Sequence, residues 1–246
     1  MSAKHSSFSS FAPQLLLEVD ALLFEHYGGP FRFFGQRDPL SEMVSALLSH
    51  RTKNSITRKA YQQLKSQYDN WAAVRDAPTA DIATAISVVT FPEVKAPRIQ
   101  EALRRVGEMN DGKLSLDFLA DLSVAEARQL LERIPGVGVK TSAAILSFSR
   151  LHLPALVVDM HHLRVTARIG IVPQKSSLDR AARQMETMLP ADWDGQRVYD
   201  HHQALMRHGQ RVCHWQHPNC KVCVVRHLCR FYQTEFTSAD TTDTSK

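Results

Sequence analysis

The sequence predicts an all-α protein with two helical lobes. Apolar residues recur at the three- and four-residue spacing of a buried helix face along most of the 246 positions. No segment alternates apolar and polar residues in the manner of a half-buried strand. The chain is long enough for two small domains, each with a core of its own.

The composition favours a polyanionic partner and gives no sign of a membrane protein. Lys and Arg together outnumber Asp and Glu by 30 to 25, and a basic excess attracts polyanions. No apolar run approaches the ~20 residues of a membrane span, and no signal for export precedes the first helix. We expect disorder in the Ser-rich start, residues 1–12, and in the Thr/Asp/Ser-rich end, residues 237–246.

Helix signals follow one another through the first half of the chain. A first helix is predicted from Pro13, because apolar residues keep the helical spacing until Gly28-Gly29-Pro30 stops it. Asp38 and Pro39 are typical of an N-cap and a first helical position, so a second helix is expected there. Three further predicted helices include residues 56–64, 82–89 and 99–106, the last of which ends at Asn110-Asp111-Gly112.

The second half continues the helical pattern. Ser123 and Glu126 form a capping box for a helix that leads into a glycine hairpin, and the next helix begins near Lys140. Residues 153–158 form a short apolar run containing Pro154, which favours a buried connection over a brief strand. The last predicted helices cover residues 178–189 and 193–208.

The glycine hairpin, residues 134–141, is a candidate anion site. Gly136 and Gly138 flank Val137 in a turn that opens a helix, and glycine permits a positive φ and close approach of a ligand to the backbone. The N–H groups of a helix start attract phosphate. Lys140 in the first helical turn is unfavourable for the helix dipole, which suggests a role as an amine nucleophile. The alternative is a glycine-rich turn beside a solvated lysine.

Three polar or aromatic positions elsewhere allow two readings each. The turn around His50 and Arg51 is either a contact surface or a solvated loop. Phe91, beside a proline, is either an intruding side chain or a packed hinge. Asp159 opens a helix and is either a functional carboxylate or an ordinary N-cap.

All four cysteines lie close together near the end of the chain. Their spacing, C-x6-C-x2-C-x5-C, allows four thiolates to surround one metal centre: Cys213, Cys220, Cys223 and Cys229. Zinc sites usually have two close pairs, whereas only Cys220 and Cys223 form such a pair, so a [4Fe-4S] cluster is favoured over zinc. The loop is a structural clip, a support for DNA contact, or both.

Three separated motifs together resemble the endonuclease III family of helix-hairpin-helix DNA glycosylases. They are the hairpin that ends in Lys140-Thr141, the segment Val157-Val158-Asp159-Met160-His161, and His208-Gly209 followed by the cysteine loop. The resemblance covers about residues 39–229. It implies a six-helix barrel, residues 37–153, and a cluster domain, residues 13–36 with 154–236, with a DNA cleft between them.

The resemblance also implies a chemistry: a bifunctional glycosylase and AP lyase of base excision repair that removes oxidised pyrimidines. Lys140 and Asp159 are the implied catalytic residues, and the four cysteines hold a [4Fe-4S] cluster. The implied partner is duplex DNA with damaged bases or abasic sites, bound by a monomer in the cytoplasm at the nucleoid. The implied DNA-binding residues are His50, Arg51, Phe91, Gly136, Val137, Gly138 and His161.

Departures from the family pattern keep other functions open. Endonuclease III commonly has a glutamine that fills the gap left by the flipped base, and Arg51 aligns with it in this chain. A second loop that enters this gap usually carries Gly-Leu-Tyr in the family, whereas this chain has Thr90-Phe91-Pro92. Lesion range and opposite-base preference therefore stay undetermined. A monofunctional glycosylase of the adenine-mismatch type is disfavoured, because Lys140 is present and Ala46 stands where that branch has a glutamate. A catalytically weak glycosylase and a protein that binds abasic sites without catalysis remain as alternatives.

Overall fold

A computed structural model describes residues 11–236 of the chain. These residues form twelve α-helices and three short 3-10 helices, and no strand occurs among them. The all-α prediction is therefore confirmed. The segments expected to be disordered lie outside the described residues, apart from Phe11 and Ala12, and Ala12 already begins the first helix.

The helices have the following bounds. They are α1 Ala12–Tyr27, α2 Pro39–Ser49, α3 Asn54–Gln67, α4 Trp71–Asp76, α5 Thr79–Ala85, α6 Pro92–Met109, α7 Val124–Leu131, α8 Val139–Phe148, α9 Met160–Ile169, α10 Leu178–Glu186, α11 Gly195–Arg211 and α12 Arg230–Phe236. The 3-10 helices are Asp117–Asp121, Cys220–Val222 and Arg226–Leu228. Within the described chain, every helix is too short or too polar to cross a bilayer.

The chain divides into two compact units. Among the described residues, the central unit comprises residues 34–155, and the terminal unit combines residues 11–33 with residues 156–236. The central unit begins three residues before the predicted barrel region, 37–153, and ends two residues after it. It contains seven α-helical segments, α2 to α8, where six were expected. The short α4 and the 3-10 helix that precedes α7 were not predicted.

The core of the central unit forms around α2. Asp38 caps this helix by accepting the Ser41 N–H at 2.8 Å, as the sequence predicted, and Pro39 follows at the first helical position. Nearly every side chain of α2 is buried, and the helix packs against α8, α3 and α6. Trp71 of α4 donates its indole N–H to Ser41 Oγ at 3.0 Å, which fixes α4 against the start of α2.

One predicted helix is too long because apolar spacing reports burial rather than helix alone. The expected helix over residues 82–89 ends at Ala85, and turns follow it. Ile86 and Val89 are nevertheless buried, so the apolar pattern continues past the end of the helix. The helix predicted over residues 178–189 likewise stops at Glu186.

The terminal unit is built on α11, which packs against α1 and α9. Asp194 caps α11. Buried Asp20 of α1 pairs with Arg197 and with His201, whose Nδ1 lies 2.8 Å from Asp20 Oδ1. Burial acts to raise the pKa of Asp20, but the hydrogen bonds from His201 and Arg197 outweigh it and lower that pKa. A charged, paired carboxylate therefore joins α1 to α11.

Candidate nucleic-acid interface and cysteine site

The hairpin between α7 and α8 requires glycine at Gly136 for two reasons. Its φ is +87°, in the left-handed region that favours glycine. A Cβ atom at this position would stand only 2.6 Å from Arg98 Cδ. Gly138 differs from the prediction, since its φ of −99° suits any residue. Apart from its chain neighbours, none of the described residues places a heavy atom within 4 Å of where its Cβ would be, so the backbone at Gly138 is open to a ligand.

Val137, the residue between the two glycines, is an interior residue. Its side chain is 4% exposed, and its N–H donates to the Ile134 carbonyl oxygen at 3.0 Å. Val137 therefore packs in the interior and anchors the turn, and the DNA contact at Val137 stays a prediction.

The first turn of α8 combines an exposed amine with an uncapped helix start. Gly138 supplies no side-chain cap, and the turn holds no acidic residue. The N–H groups at the start of a helix lack intrahelical partners, and the helix dipole makes this end positive. Lys140 is exposed beside them. The arrangement suits an anion bound next to an amine.

His50 joins the end of α2 to the start of α8. Its Nε2 lies 3.2 Å from Thr141 Oγ1, a hydrogen bond across 91 residues of sequence. Burial lowers the pKa of His50, and the charges of Lys95, Arg98 and Lys140 lower it further. His50 is thus mostly neutral at pH 7 and acts as a hydrogen-bonding group.

The two residues predicted to enter the gap left by a flipped base, Arg51 and Phe91, lie in loops that hydrogen-bond to each other. Thr90 Oγ1 donates to the Arg51 carbonyl oxygen at 3.0 Å, and the Thr90 N–H donates to Thr52 Oγ1 at 3.3 Å. Arg51 and Phe91 have φ angles of 53° and 59°, and each such non-glycine conformation costs about 1 kcal/mol or more. Phe91 is 51% exposed, which does not fit the alternative of a packed hinge.

Asp159 and His161 belong to the terminal unit, at the start of α9. Asp159 is the N-cap of α9, because its Oδ1 accepts the His162 N–H at 2.9 Å. The cap uses Oδ1 of the Asp159 carboxylate, so the second oxygen, Oδ2, takes no part in the cap. His161 Nδ1 lies 3.0 Å from Arg164 Nη2. A Cβ on Gly209 would stand 2.7 Å from His161 Cβ, so α11 and α9 approach closely here.

A buried histidine cluster behind the start of α9 was not predicted. His162 is fully buried and stacks on His202, with ring centroids 5.3 Å apart and a 9° angle between planes. Burial holds the pKa of His162 well below its usual value, helped by His202, His201 and His161. His202 in turn bonds the Val157 carbonyl oxygen at 2.8 Å through Nδ1. The cluster packs α9 against α11.

The four cysteines line one pocket that follows α11. Cys213 Sγ accepts a hydrogen bond from Arg168 Nη1 at 3.2 Å. Burial and the other three cysteines raise the pKa of Cys223 to about 11, so this thiol needs a nearby cation to ionise at neutral pH. Four thiols around one space suit an iron-sulfur cluster chemically. Within residues 11–236, however, no three His, Cys, Asp or Glu side chains are already arranged to hold a metal ion.

Two arginines of α9, which the sequence reading missed, hold the cysteine loop. Arg164 donates to the carbonyl oxygens of Cys213 at 2.8 Å and Gly209 at 2.7 Å. Arg168 donates to those of His214 at 2.6 Å and Trp215 at 2.8 Å. The helix that begins at Asp159 therefore also positions the loop. Their four-residue spacing along one helix face was the available signal.

Comparison of the sequence with known proteins finds a matching family and similar relatives. The family model "HhH-GPD superfamily base excision DNA repair protein" matches residues 44–191. Endonuclease III of Thermotoga maritima is 28% identical over 198 residues, which are 80% of this chain and 85% of the relative. Endonuclease III of Escherichia coli K12 is 26% identical over 215 residues, or 87% and 94%.

Solved structures share the fold at lower identity. A trapped covalent endonuclease III–DNA intermediate superimposes with a TM-score of 0.73 at 21% identity, covering 90% of this chain and 97% of that chain. A thermostable thymine-DNA glycosylase also gives a TM-score of 0.73 at 21% identity, covering 92% and 100%.

Proposed function

This chain belongs to the HhH-GPD superfamily of base excision DNA repair proteins, and from that membership we propose that it is a bifunctional DNA glycosylase and abasic-site lyase. The observation that carries the proposal is Lys140, an exposed amine in the first turn of a helix with no side-chain cap. Helix stability does not account for a lysine at this position. An amine beside a phosphate-binding turn can react with the sugar of a bound nucleotide.

The proposed reaction begins with attack by neutral Lys140. The Nζ electron pair forms a bond to C1′ of an extruded nucleotide, and the C1′–N bond breaks with its electrons leaving on the base, which takes up a proton. The sugar ring opens to a Schiff base. Loss of a C2′ proton and departure of the 3′ phosphate then cleave the strand by β-elimination.

Asp159 is proposed to support the first step through its charge. A carboxylate stabilises the positive charge that develops on the sugar, and it can accept a proton from the attacking amine. The support for this role is the match of Val157-Val158-Asp159-Met160-His161 to the family motif, together with a cap geometry that uses only Oδ1.

The proposed substrates are oxidised pyrimidines in duplex DNA, as the resemblance to endonuclease III implies. Arg51 and Phe91 are proposed to occupy the space that the extruded base leaves. Both side chains are exposed, and their loops are hydrogen-bonded to each other through Thr90. An arginine can stack in the gap and donate to the orphaned base, so opposite-base preference should differ from that of a glutamine.

We further propose that Cys213, Cys220, Cys223 and Cys229 hold a [4Fe-4S] cluster. The support is the shared pocket, the four-thiol donor set and the family spacing. When bound, such a cluster supplies a structural clip for the loop. Arg164 and Arg168 position the loop from α9. Anaerobic purification should give a yellow-brown protein with about four iron atoms per chain; stoichiometric zinc without iron would contradict this assignment.

Borohydride trapping tests the proposed reaction. Added during reaction with an abasic or oxidised-pyrimidine duplex, borohydride should reduce the Schiff base to a stable protein–DNA adduct. Lys140→Gln should abolish the adduct while binding to an abasic-site analogue persists, because the exposed side chain contributes little to the fold. Base release without an adduct would indicate a monofunctional glycosylase, and binding without either would indicate an abasic-site binding protein.

A further inference from the structure

A buried lysine of α6 lies directly beneath the two loops of Arg51 and Phe91. Lys95 is 5% exposed, and its ammonium donates to the Leu48 carbonyl oxygen at 2.7 Å and to Thr52 Oγ1 at 2.8 Å. Both acceptors are neutral oxygens, and burial lowers the pKa of Lys95. A buried ammonium is costly unless such hydrogen bonds compensate it. The buried ammonium of Lys95 therefore requires these two hydrogen-bond acceptors.

The two acceptors connect Lys95 to both loops. Leu48 lies in the last turn of α2, where a cation is favoured by the exposed carbonyl groups and the helix dipole. Thr52 donates to the His50 carbonyl oxygen at 3.3 Å and accepts the Thr90 N–H, also at 3.3 Å. One ammonium thus joins the end of α2, the turn that contains Arg51 and the loop that precedes α6.

The same face of α6 also reaches the glycine hairpin. Phe91 is the N-cap of α6, and Lys95 and Arg98 follow it at spacings of four and three residues, which place them on one face. Arg98 Cδ lies 2.6 Å from the position that a Cβ on Gly136 would take. This face therefore contacts all three surface elements that the proposed function uses in the central unit.

We propose that Lys95 is a positioning residue that holds Arg51 and Phe91 ready to replace an extruded base. This inference rests on the proposed glycosylase function. Strained left-handed residues persist only where their surroundings hold them, and the Lys95 network supplies that constraint for both loops. Because these loops are already ordered, they lose less conformational entropy when DNA binds and the base leaves the stack.

Lys95→Met tests the role with a matched charge control, Lys113→Met. Lys113 is exposed just beyond the far end of α6, and that end lies roughly 21 Å along the helix from Lys95. Single-turnover excision from an oxidised-pyrimidine duplex should fall about 10- to 100-fold in Lys95→Met, as expected when charged hydrogen bonds are lost. Borohydride trapping on a preformed abasic duplex should change less than about threefold, because there is no base to extrude. Lys113→Met should match the unmodified protein on both substrates.

A second position keeps the test decisive if Lys95→Met folds poorly. Thr52→Val removes the shared hydroxyl and should reproduce the split between the two substrates, whereas Thr52→Ser retains the hydroxyl and should restore excision. The double variant should be no worse than Lys95→Met alone within about threefold, since both changes break one network. Equal losses on both substrates, or fully additive losses, would overturn the proposal. Inactivity of the unmodified protein on both substrates would instead refute the proposed function itself, and the role of Lys95 with it.

Discussion

Gly136→Ala tests how the hairpin is built. At a φ of +87°, an alanine carries left-handed strain of about 1–2 kcal/mol. Its Cβ would also stand 2.6 Å from Arg98 Cδ and 3.2 Å from Leu47 Cδ2. The exposed Arg98 side chain can move aside, but buried Leu47 must shift within the core, which adds about 1 kcal/mol of overpacking. The free energy of unfolding should fall by about 2–3 kcal/mol, which lowers Tm by roughly 4–12 °C in a chain of this size.

Gly138→Ala is the matched control, two residues away. Its φ of −99° suits alanine, and within residues 11–236 only its chain neighbours could place a heavy atom within 4 Å of the new Cβ. Alanine is a poorer N-cap than glycine, which destabilises the helix, but it also lowers the conformational entropy of the unfolded chain, which stabilises the protein. Because these effects oppose each other, the free energy of unfolding should change by less than about 0.5 kcal/mol. The new methyl group stands on the open backbone, where a phosphate would approach. Binding to an abasic-analogue duplex should therefore weaken about tenfold, or about 1.4 kcal/mol.

Two measurements separate these effects. Thermal and urea unfolding report stability, and fluorescence anisotropy with a labelled abasic-analogue duplex reports binding. Gly136→Ala should lose stability, and Gly138→Ala should lose affinity at unchanged stability. A Gly136→Ala protein as stable as its parent would refute the account of the turn, and full DNA affinity in Gly138→Ala would refute the role of the open backbone.

Three further outcomes are expected. Asp159→Asn keeps an N-cap, so its free energy of unfolding should stay within about 0.5 kcal/mol of the parent while its excision rate falls at least about 100-fold. Asp159→Ala should lose the same activity and also about 1 kcal/mol of stability. An Asn variant with full activity would show that Asp159 is only a helix cap. Burial keeps the pKa of His162 well below its ordinary value of 6.5, so the unfolded chain takes up a proton first as pH falls. The free energy of unfolding should then be highest above about pH 6.5 and decline below it. Urea unfolding at a series of pH values should show a weaker decline in His162→Phe, and the same decline in both proteins would contradict this prediction. Affinity for an abasic-analogue duplex should drop at least about tenfold between roughly 50 and 200 mM salt, measured by anisotropy, and a flat response would argue against phosphate contacts.

The sequence predicted those features that depend on neighbouring residues. Asp38 and Ser123 cap their helices as expected, because each cap is a bond to a residue three positions away. Gly28 ends α1 in the left-handed conformation for the same local reason. The hairpin followed from its glycines, although only Gly136 has a positive φ among its residues.

Other features depend on residues far apart in sequence, and no local pattern reveals them. Lys95 contacts Leu48 and Thr52 across 47 and 43 residues. The one available signal is that Lys95 lies four residues before buried Ile99, on the apolar face of α6. A lysine on such a face needs a partner, but the sequence does not say which one.

The most direct test of the account is to locate the covalent bond. After borohydride reduction of a reaction with an abasic duplex, nuclease and trypsin digestion followed by mass spectrometry identifies the modified lysine. The account predicts a sugar remnant on Lys140, within the peptide that begins at Ile134 and ends at Arg150. A remnant on another lysine, or no adduct at all, would contradict the proposal that Lys140 is the nucleophile.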